Sequence, residues 1–412
     1  MRRVVISGMG VIAATGQSRE EFFGDLVAGR AAARRMQNLD PAVVERLNNR
    51  IAAEVRGFEP GAHFSEKELD HLDRFAQFAV VAARQALAEA GIEKFSEEEQ
   101  PRVGVMVGTA YGGTETLDTH YFSLYAKNAT RLPPLAIPRL MYNAATCQIS
   151  MRLLARGPCL TPTTACSSGA HALGEALRAI QRGEADVMLA GGSDAPLTYG
   201  VIRAWEGMRV LAPPGDDPAR ACRPFSRDRQ GIVIGEGAAV FVLEEYESAR
   251  RRGANICAEL AGYAATSDAS HITQPSVAGP AAAMRQALAD AKLNPEDIDY
   301  INAHGTATRV NDVVETKAIK EVFGGRARKL PVSSSKSMHG HVMGASGAIE
   351  LVAAVEALRR GVIPPTANYT EPDPECDLDY VPNQPREQPV RAAVSNSFAF
   401  GGLNAVLVVK RV

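Results

Sequence analysis

The sequence lacks the features that draw a protein to a nucleic acid or into a membrane. Its 45 Lys and Arg residues balance 47 Asp and Glu residues, for a formal charge of −2, so it has no net field to hold a polyanion. No segment approaches the roughly 18 consecutive apolar residues of a membrane-spanning helix. With 46% hydrophobic and 22% charged residues, the composition is that of a globular protein. We therefore expect neither nucleic acid nor a membrane among its partners.

Paired cysteine motifs and several common catalytic motifs are also missing. Six cysteines occur in 412 residues without a CxxC pair, which favours reduced thiols and a cytoplasmic protein. No P-loop, HExxH or GxSxG pattern is present, so the usual signals of nucleotide hydrolysis, zinc proteolysis and α/β-hydrolase chemistry are absent. Gly8 and Gly10 begin a partial dinucleotide fingerprint, but no acidic residue ends a second strand about 20 positions later. We interpret these glycines as a tight structural turn.

Three short patterns recur in the same order in the two halves of the chain. A helical heptapeptide occurs at 84–90 and again at 285–291. Gly-Thr-Ala follows a strand at 108–110 and at 305–307, and Ser-Gly-Ala begins a helix at 168–170 and at 346–348. This indicates a duplicated α/β unit of about 200 residues. Alternating strands and helices predict mostly parallel sheets with helices on their faces. The charged helix end and glycine at 250–253 divide the chain into residues 1–252 and 253–412.

Among the cysteines, Cys166 has a distinctive setting. Residues 161–169 run from a short strand into a helix with one apolar face, so Cys166 lies at or next to the helix N terminus. There the unpaired N–H groups and the helix dipole favour the thiolate, which is the nucleophilic form of cysteine. A lone cysteine can equally be an inert core residue. The other five lack this setting and are interpreted as structural: Cys147, Cys159, Cys222, Cys257 and Cys376.

Two segments of the second half place histidines after strands. Residues 302–308 end an apolar strand and contain His304, whereas residues 333–341 precede a helix and contain His339 and His341. Cys166 occupies the equivalent loop of the first half, so the duplication predicts that its thiol and the imidazoles converge where the carboxyl ends of the strands meet. His339 is expected at an exposed loop position.

Motifs along nearly the whole chain resemble those of the β-ketoacyl-acyl-carrier-protein synthases of the KAS I/II class. They are the segments 164–169, 191–194, 223–226, 235–237, 302–308, 336–347 and 395–402. The resemblance implies a thiolase-like duplicated α/β fold in five layers, α-β-α-β-α, usually as a homodimer. It also implies a KAS II-like acyltransferase, a 3-oxoacyl-carrier-protein synthase. No metal or organic cofactor would be needed, because the substrates are carried on the phosphopantetheine of an acyl carrier protein.

The resemblance assigns catalytic roles to four residues. Cys166 would take an acyl chain from a carrier thioester. His304 and His341 would donate hydrogen bonds to the enolate that remains when malonyl-carrier protein loses carbon dioxide. Lys336 would hold the histidine network, with Glu350 as its acidic partner on the following helix. The reaction would be a decarboxylative condensation, in fatty-acid or in specialised polyketide or polyene-type biosynthesis.

Five further residues are expected to contact the substrate. The backbone N–H of Phe400 would join that of the nucleophile in an oxyanion hole, and its side chain would gate the acyl pocket. Thr306 and Thr308 would bind the pantetheine arm, and Arg209 would anchor a phosphate or an acidic carrier protein at the mouth. Tyr111 stands where many relatives have an aliphatic residue, so we expect it to shorten or polarise the pocket.

Some positions depart from the pattern of housekeeping fatty-acid enzymes. Asn311 and Asp312 resemble polyketide or nodulation-type branches. Gln274 replaces a common small hydroxyl in the pantetheine channel, and Ala399 replaces a glycine in the gating loop, which should stiffen it. These differences predict a specialised acyl chain, one that is unsaturated, short or polar.

Three alternatives use the same residues differently. A chain-length-factor-like subunit would only shape a tunnel; such relatives typically lack the nucleophile, so Cys166 argues against it, although a heterodimer with such a subunit remains open. A degradative thiolase would have a Cys-His-Cys plan, and no cysteine lies near His341 in the sequence. A metal site would need further ligands at suitable spacing, and Lys336 would repel a cation, so we expect none.

Overall fold

The computed structural model describes all 412 residues, which form fourteen strands and fourteen helices. The strands are β1 (Val4–Ala13), β2 (Arg34–Arg35), β3 (Ile51–Ala52), β4 (Val103–Gly108), β5 (Cys159–Leu160), β6 (Val187–Asp194), β7 (Gly237–Glu245), β8 (Ala258–Ser267), β9 (Tyr300–Asn302), β10 (Val332–Ser333), β11 (Val362–Ile363), β12 (Arg386–Glu387), β13 (Ala392–Ala399) and β14 (Leu403–Lys410). The helices are α1 (Arg19–Val27), α2 (Pro41–Val44), α3 (Glu66–Leu69), α4 (Arg74–Ala90), α5 (Thr114–Ala126), α6 (Ala136–Leu140), α7 (Ala144–Leu153), α8 (Ser168–Gln181), α9 (Tyr199–Met208), α10 (Tyr246–Arg251), α11 (Ala278–Ala291), α12 (Arg309–Phe323), α13 (Lys336–His339) and α14 (Ser346–Arg360).

Ten strands form a continuous sheet of two matching halves. The first half has the order β5-β4-β6-β7-β1 and the second has the order β10-β9-β13-β14-β8. Within the sheet, the two halves are joined where β1 pairs with β8 over Val5–Glu259 and Ile6–Ala258. Each strand of one half therefore has a counterpart at the same position in the other. The recurring sequence patterns fall on α4 and α11, at the ends of β4 and β9, and at the starts of α8 and α14. The duplication predicted from the sequence is confirmed.

The sequence predicted mostly parallel sheets, and this prediction is wrong. Parallel pairing is restricted to β4 with β5 and β6, and to β9 with β10 and β13. The other pairs of the ten-stranded sheet are antiparallel. One reason is local: only the three residues 400–402 separate β13 from β14, and so short a connection can join only antiparallel strands.

The helices complete a five-layer α-β-α-β-α arrangement. Helices α8 and α14 pack against each other in the middle, and each touches strands of both halves. Every residue of α14 from Ser346 to Leu358 is buried, which fits its small and apolar sequence. Helix α4 covers the outer face of β1, β6 and β7, and α11 covers β8 and β14. The central layer thus brings the N termini of α8 and α14 together.

Gly8 and Gly10 lie inside β1, not in a turn as the sequence suggested. A Cβ on Gly8 would stand 2.0 Å from the carbonyl oxygen of Ala86, and one on Gly10 would stand 1.9 Å from that of Ala82. The glycines therefore let α4 press closely on the strand. Gly262 of β8 likewise allows α11 to pack closely, because a Cβ there would stand 2.4 Å from the carbonyl oxygen of Ala287.

None of the helices combines the length and the apolar character that a bilayer crossing requires.

Helix α10 ends at Arg251, and Gly253 follows with a φ of 71°, as the helix-stop pattern predicted. The division of the chain at this point and the cytoplasmic location stay predictions.

Candidate active site

Cys166 lies in a single 3-10 turn, residues 165–167, that leads directly into α8. Its matching turn in the second half, residues 343–345, leads into α14. Both turns begin with a non-glycine residue at positive φ: 51° at Ala165 and 47° at Met343. This uncommon conformation persists only where the surroundings impose it. The two turns pack against each other at the centre of the molecule, so the thiol is held at the junction of the halves.

The protonation of Cys166 differs from the sequence expectation. Burial raises the pKa of its thiol to about 12, against the opposing effect of the nearby Lys336 ammonium. Burial therefore opposes the stabilisation of the thiolate that the sequence predicted for a helix N terminus. At neutral pH the sulfur carries a proton, which must leave when the sulfur attacks a thioester.

His304 follows β9 and is held by Lys336. The Lys336 ammonium donates to Nδ1 of His304 at 3.3 Å and to its carbonyl oxygen at 2.6 Å, and it also pairs with Glu350. An ammonium can only donate, so Nδ1 accepts and the ring proton lies on Nε2. Burial raises the pKa of Glu350 to about 7, and Lys336 opposes this shift. The buried pair thus fixes both the position and the tautomer of His304.

His341 follows α13 and is held by the start of α14. The Met343 N–H donates to Nδ1 of His341 at 3.2 Å, and the Ser346 hydroxyl lies 2.9 Å from the same nitrogen. Because that hydroxyl oxygen accepts from the Val342 N–H, its proton is free to point at Nδ1. His341 therefore also carries its proton on Nε2.

The two imidazoles form a neutral pair. Their ring centroids are 5.5 Å apart and the rings are nearly perpendicular, at 85°. Burial and the Lys336 ammonium hold the pKa values of His304 and His341 well below the usual range. Two neutral rings with Nδ1 occupied present two N–H donors, an arrangement suited to an oxygen that gains negative charge.

One cavity of about 720 Å³ connects these groups to the surface. It is lined by seven of the residues singled out from the sequence: Cys166, Arg209, His304, Thr306, Thr308, His341 and Phe400. Gln274 and Ala399 line it as well. The Thr306 and Thr308 hydroxyls bond each other at 2.9 Å. Phe400 is 36% exposed, and its N–H donates to no protein acceptor.

Three of the expected residues lie outside the cavity wall. Lys336 and Glu350 are buried behind His304. Tyr111 is covered by Trp205, whose indole N–H donates to the phenol oxygen at 2.8 Å. The ring of Trp205 also stacks on Phe400, with ring centroids 6.0 Å apart. Trp205 itself lines the cavity, whereas Tyr111 does not.

The expected exposure of His339 is wrong. His339 belongs to α13, is completely buried, and its Nε2 lies 3.0 Å from the Ser335 hydroxyl. Burial and Lys336 lower the pKa of His339 to about 3. His339 does not line the cavity. It is a core residue, although its loop is polar in sequence.

Replacing His339 by Gln should reduce the acid sensitivity of the fold. The unfolded imidazole takes up a proton near pH 6.5 and the folded one only near pH 3, so stability is lost as pH falls through 6.5. Between pH 7.5 and 5.5 this loss is about 1 kcal/mol. Urea unfolding measures the free energy of unfolding at both pH values. Between them it should fall by about 1 kcal/mol less in the variant than in the original chain. Buried carboxylates are common to both proteins, and equal pH dependence would contradict the assignment.

Sequence reasoning missed three residues that shape the site. Glu315 of α12 is wholly buried and accepts the backbone N–H groups of His304 and Gly305, each at 2.8 Å. Ser346 orients His341, and Trp205 lines the cavity and donates to Tyr111. Ser346 could have been noticed as the hydroxyl that opens the helix after His341. Nothing in the local sequence indicated Glu315 or Trp205, because their contacts depend on the tertiary fold.

A duplicated fold with a thiol and two imidazoles on one cavity has the architecture of thiolase-like acyl-transferring enzymes. The family model of the beta-ketoacyl synthase N-terminal domain matches residues 1–249, and that of the C-terminal domain matches residues 257–370. The chain therefore belongs to the beta-ketoacyl synthase family.

Individual relatives match over the full length. The nodulation protein E of Rhizobium sp. (strain N33) is 47% identical over 414 residues, covering 100% of both chains. The 3-oxoacyl-[acyl-carrier-protein] synthase 2 of Staphylococcus aureus (strain COL) is 42% identical over 412 residues, covering 100% of this chain and 98% of that protein. One chain of a solved complex, a type II polyketide synthase acyl-carrier protein with its ketosynthase bound to the hexaketide, matches with a TM-score of 0.90 and 33% identity. The match covers 100% of this chain and 99% of that one.

These findings support β-ketoacyl-acyl-carrier-protein synthase function. The chain is a condensing enzyme of the acyl-transferring class, and the non-catalytic alternative is not favoured. No three His, Cys, Asp or Glu side chains are grouped so that they could hold a metal ion. The absence of a cofactor stays a prediction.

Proposed function

We propose that the protein is a KAS II-like synthase in which Cys166 carries the growing chain. In the first half-reaction the sulfur attacks the carbonyl of an acyl-carrier thioester. A bond forms between sulfur and the acyl carbon, the bond to the carrier sulfur breaks, and the thiol proton of Cys166 passes to the departing carrier thiolate. The exchange replaces one thioester by another, so no high-energy bond is lost.

In the second half-reaction the malonyl thioester of a carrier protein loses carbon dioxide. The electron pair of the broken carbon–carbon bond forms an enolate, whose oxygen accepts the Nε2 protons of His304 and His341 in hydrogen bonds. The enolate carbon attacks the acyl-Cys166 carbonyl, the carbon–sulfur bond breaks, and the expelled sulfur takes up a proton from water. The N–H groups of Cys166 and Phe400 bind the carbonyl oxygen during this attack. The product is a 3-oxoacyl-carrier protein.

The neutral histidine pair is the observation that carries this proposal. Lys336 and the Met343 N–H occupy the two Nδ1 atoms, so both rings are restricted to donating from Nε2. A proton-abstracting base would need a free ring nitrogen, whereas an enolate needs donors. The pair therefore suits decarboxylation, and the chemistry needs no metal or organic cofactor of its own.

Acyl carrier protein is the proposed partner. The cavity wall includes Arg209, Thr306 and Thr308, a cation and two hydroxyls that fit a phosphopantetheine arm. A homodimer is the proposed assembly. Its interface would use the apolar side chains exposed on α5, among them Tyr121, Phe122 and Tyr125, because a patch of this kind on a soluble protein marks a contact surface.

Incubation of the purified chain with acyl-carrier protein and malonyl-carrier protein tests the proposal. We expect 3-oxoacyl-carrier protein and an acyl adduct on Cys166, both detected by mass spectrometry. Activity should be unchanged by a metal chelator. Release of carbon dioxide without any condensed product, or acyl groups on another cysteine, would contradict the proposed role of Cys166.

Trp205 should limit the length of the accepted acyl chain. Trp205→Ala would open the cavity toward Tyr111 and the apolar residues around it. Each additional buried methylene contributes about 0.8 kcal/mol, so a chain longer by two methylenes should gain about tenfold in kcat/KM. Competition between acyl-carrier proteins of different length measures this. Tyr111→Phe, which removes the hydrogen bond but keeps the ring, is the matched control, and an unchanged length profile in Trp205→Ala would refute the limit.

A further inference from the structure

Asp194, the last residue of β6, is a fully buried carboxylate beside the cavity residues. It accepts the Thr109 hydroxyl at 2.5 Å and the N–H groups of Ala110 and Tyr111 at 3.0 and 3.1 Å. Its second oxygen also accepts the Gly344 N–H at 2.6 Å. The first three donors belong to the loop after β4 in the first half of the chain, and the fourth belongs to the second half. The side chain thus joins the two halves at the site.

Gly344, which donates to Asp194, occupies the position of the second half that corresponds to Cys166. The turns 165–167 and 343–345 are counterparts in the two halves, so Gly344 matches Cys166. In one turn the backbone N–H is a proposed donor to the reacting carbonyl oxygen. In the other turn the equivalent N–H is taken by the chain's own carboxylate. A Cβ at residue 344 would stand 2.5 Å from the Ala110 nitrogen and 2.6 Å from an Asp194 oxygen, which explains the glycine.

The same turn carries the groups that orient His341. The Met343 N–H and the Ser346 hydroxyl, the two partners of Nδ1, stand on either side of Gly344 in the chain. Met343 has the positive φ of 47°, a conformation that needs support from its surroundings. The Asp194–Gly344 bond supplies that support from the first half.

We propose that Asp194 is a positioning residue for decarboxylation, which fixes the 343–345 turn and thereby the ring of His341. This inference rests on the proposed function of His341. Burial raises the pKa of Asp194 to about 6, against its hydrogen-bond donors, so the group is a carboxylate at neutral pH. An asparagine has one acceptor oxygen in place of two. Its NH2 group would therefore face either the Thr109 hydroxyl and Tyr111 N–H or the Gly344 and Ala110 N–H groups, all of which are donors.

A double-mutant cycle tests the inference, with malonyl-carrier protein decarboxylation as the readout. Asp194→Asn should lower kcat about tenfold with KM nearly unchanged. In a His341→Ala background the same substitution should lower kcat by less than about twofold, because Asp194 acts through the His341 ring, which this background lacks. Equal losses in both backgrounds would overturn the proposal. A chain that does not decarboxylate at all would instead refute the proposed function.

Controls separate positioning from a general loss of fold. Glu244→Gln alters another buried carboxylate, which pairs with Ser7 and Arg252 away from the cavity, and should leave decarboxylation unchanged. If Asp194→Asn does not fold, Thr109→Val removes a single donor to the carboxylate and runs the same cycle. We expect a loss of about threefold that disappears in the His341→Ala background; a loss that persists there counts against the proposal.

Discussion

Replacing Cys166 by Ala should abolish condensation, with a loss of at least about a thousandfold. The alanine leaves the cavity, the histidine pair and the Lys336–Glu350 pair in place but removes the only thiol on the cavity wall. No acyl-enzyme can then form. Decarboxylation of malonyl-carrier protein should continue, since the enolate depends on His304 and His341. The measurement is the ratio of released carbon dioxide to 3-oxoacyl product.

Cys222→Ala provides the matched control. Cys222 is buried like Cys166, and burial raises its pKa to about 12 as well, but it does not line the cavity. Condensation should be unchanged in this variant. If the two cysteine variants lost activity equally, or if Cys166→Ala still condensed, the acyl chain would have another attachment site.

Removal of either cavity histidine should have the second largest effect. His304→Ala and His341→Ala each delete one N–H donor to the enolate oxygen, and loss of one such donor typically costs about 10²- to 10³-fold. The effect should fall on decarboxylation, whereas transfer of the acyl group to Cys166 should be retained. Rapid-quench measurement of acyl-enzyme formation, beside carbon dioxide release, separates the two steps.

His339→Gln is the control for the histidine variants. It alters a buried imidazole of the same segment that does not line the cavity, so both steps should proceed as in the original chain. Equal losses of acylation and decarboxylation in His304→Ala would indicate that this ring serves the thiol rather than the enolate.

The site could be located from the sequence because its parts belong to repeated local patterns. Cys166 precedes a helix, and His304 ends a strand, so their places in each half followed from periodicity and stop signals. The recurring segments then indicated which ends would meet. The structure brings Cys166, His304 and His341 to one cavity, as the duplication predicted.

Features that depend on distant packing could not be predicted. The burial of His339 arises because its polar segment is enclosed by neighbours such as Phe22 of α1, which is far away in sequence. The raised pKa of the Cys166 thiol follows from its desolvation, which depends on the tertiary fold. Gly8 and Gly10 were misplaced because a glycine needed for close helix packing has the same sequence signature as one needed for a turn.

The enclosed helix α14 limits where the substrate range of this enzyme can change in evolution. With no solvent face between Ser346 and Leu358, a larger side chain there would press on the strands of both halves, and a smaller one would leave a cavity. Residues of α9 and of the connection between β13 and β14, such as Trp205 and Phe400, face the cavity without that constraint. Substitutions that change the accepted acyl chain are therefore expected in α9 and in the connection between β13 and β14, while the central layer of helices stays constant.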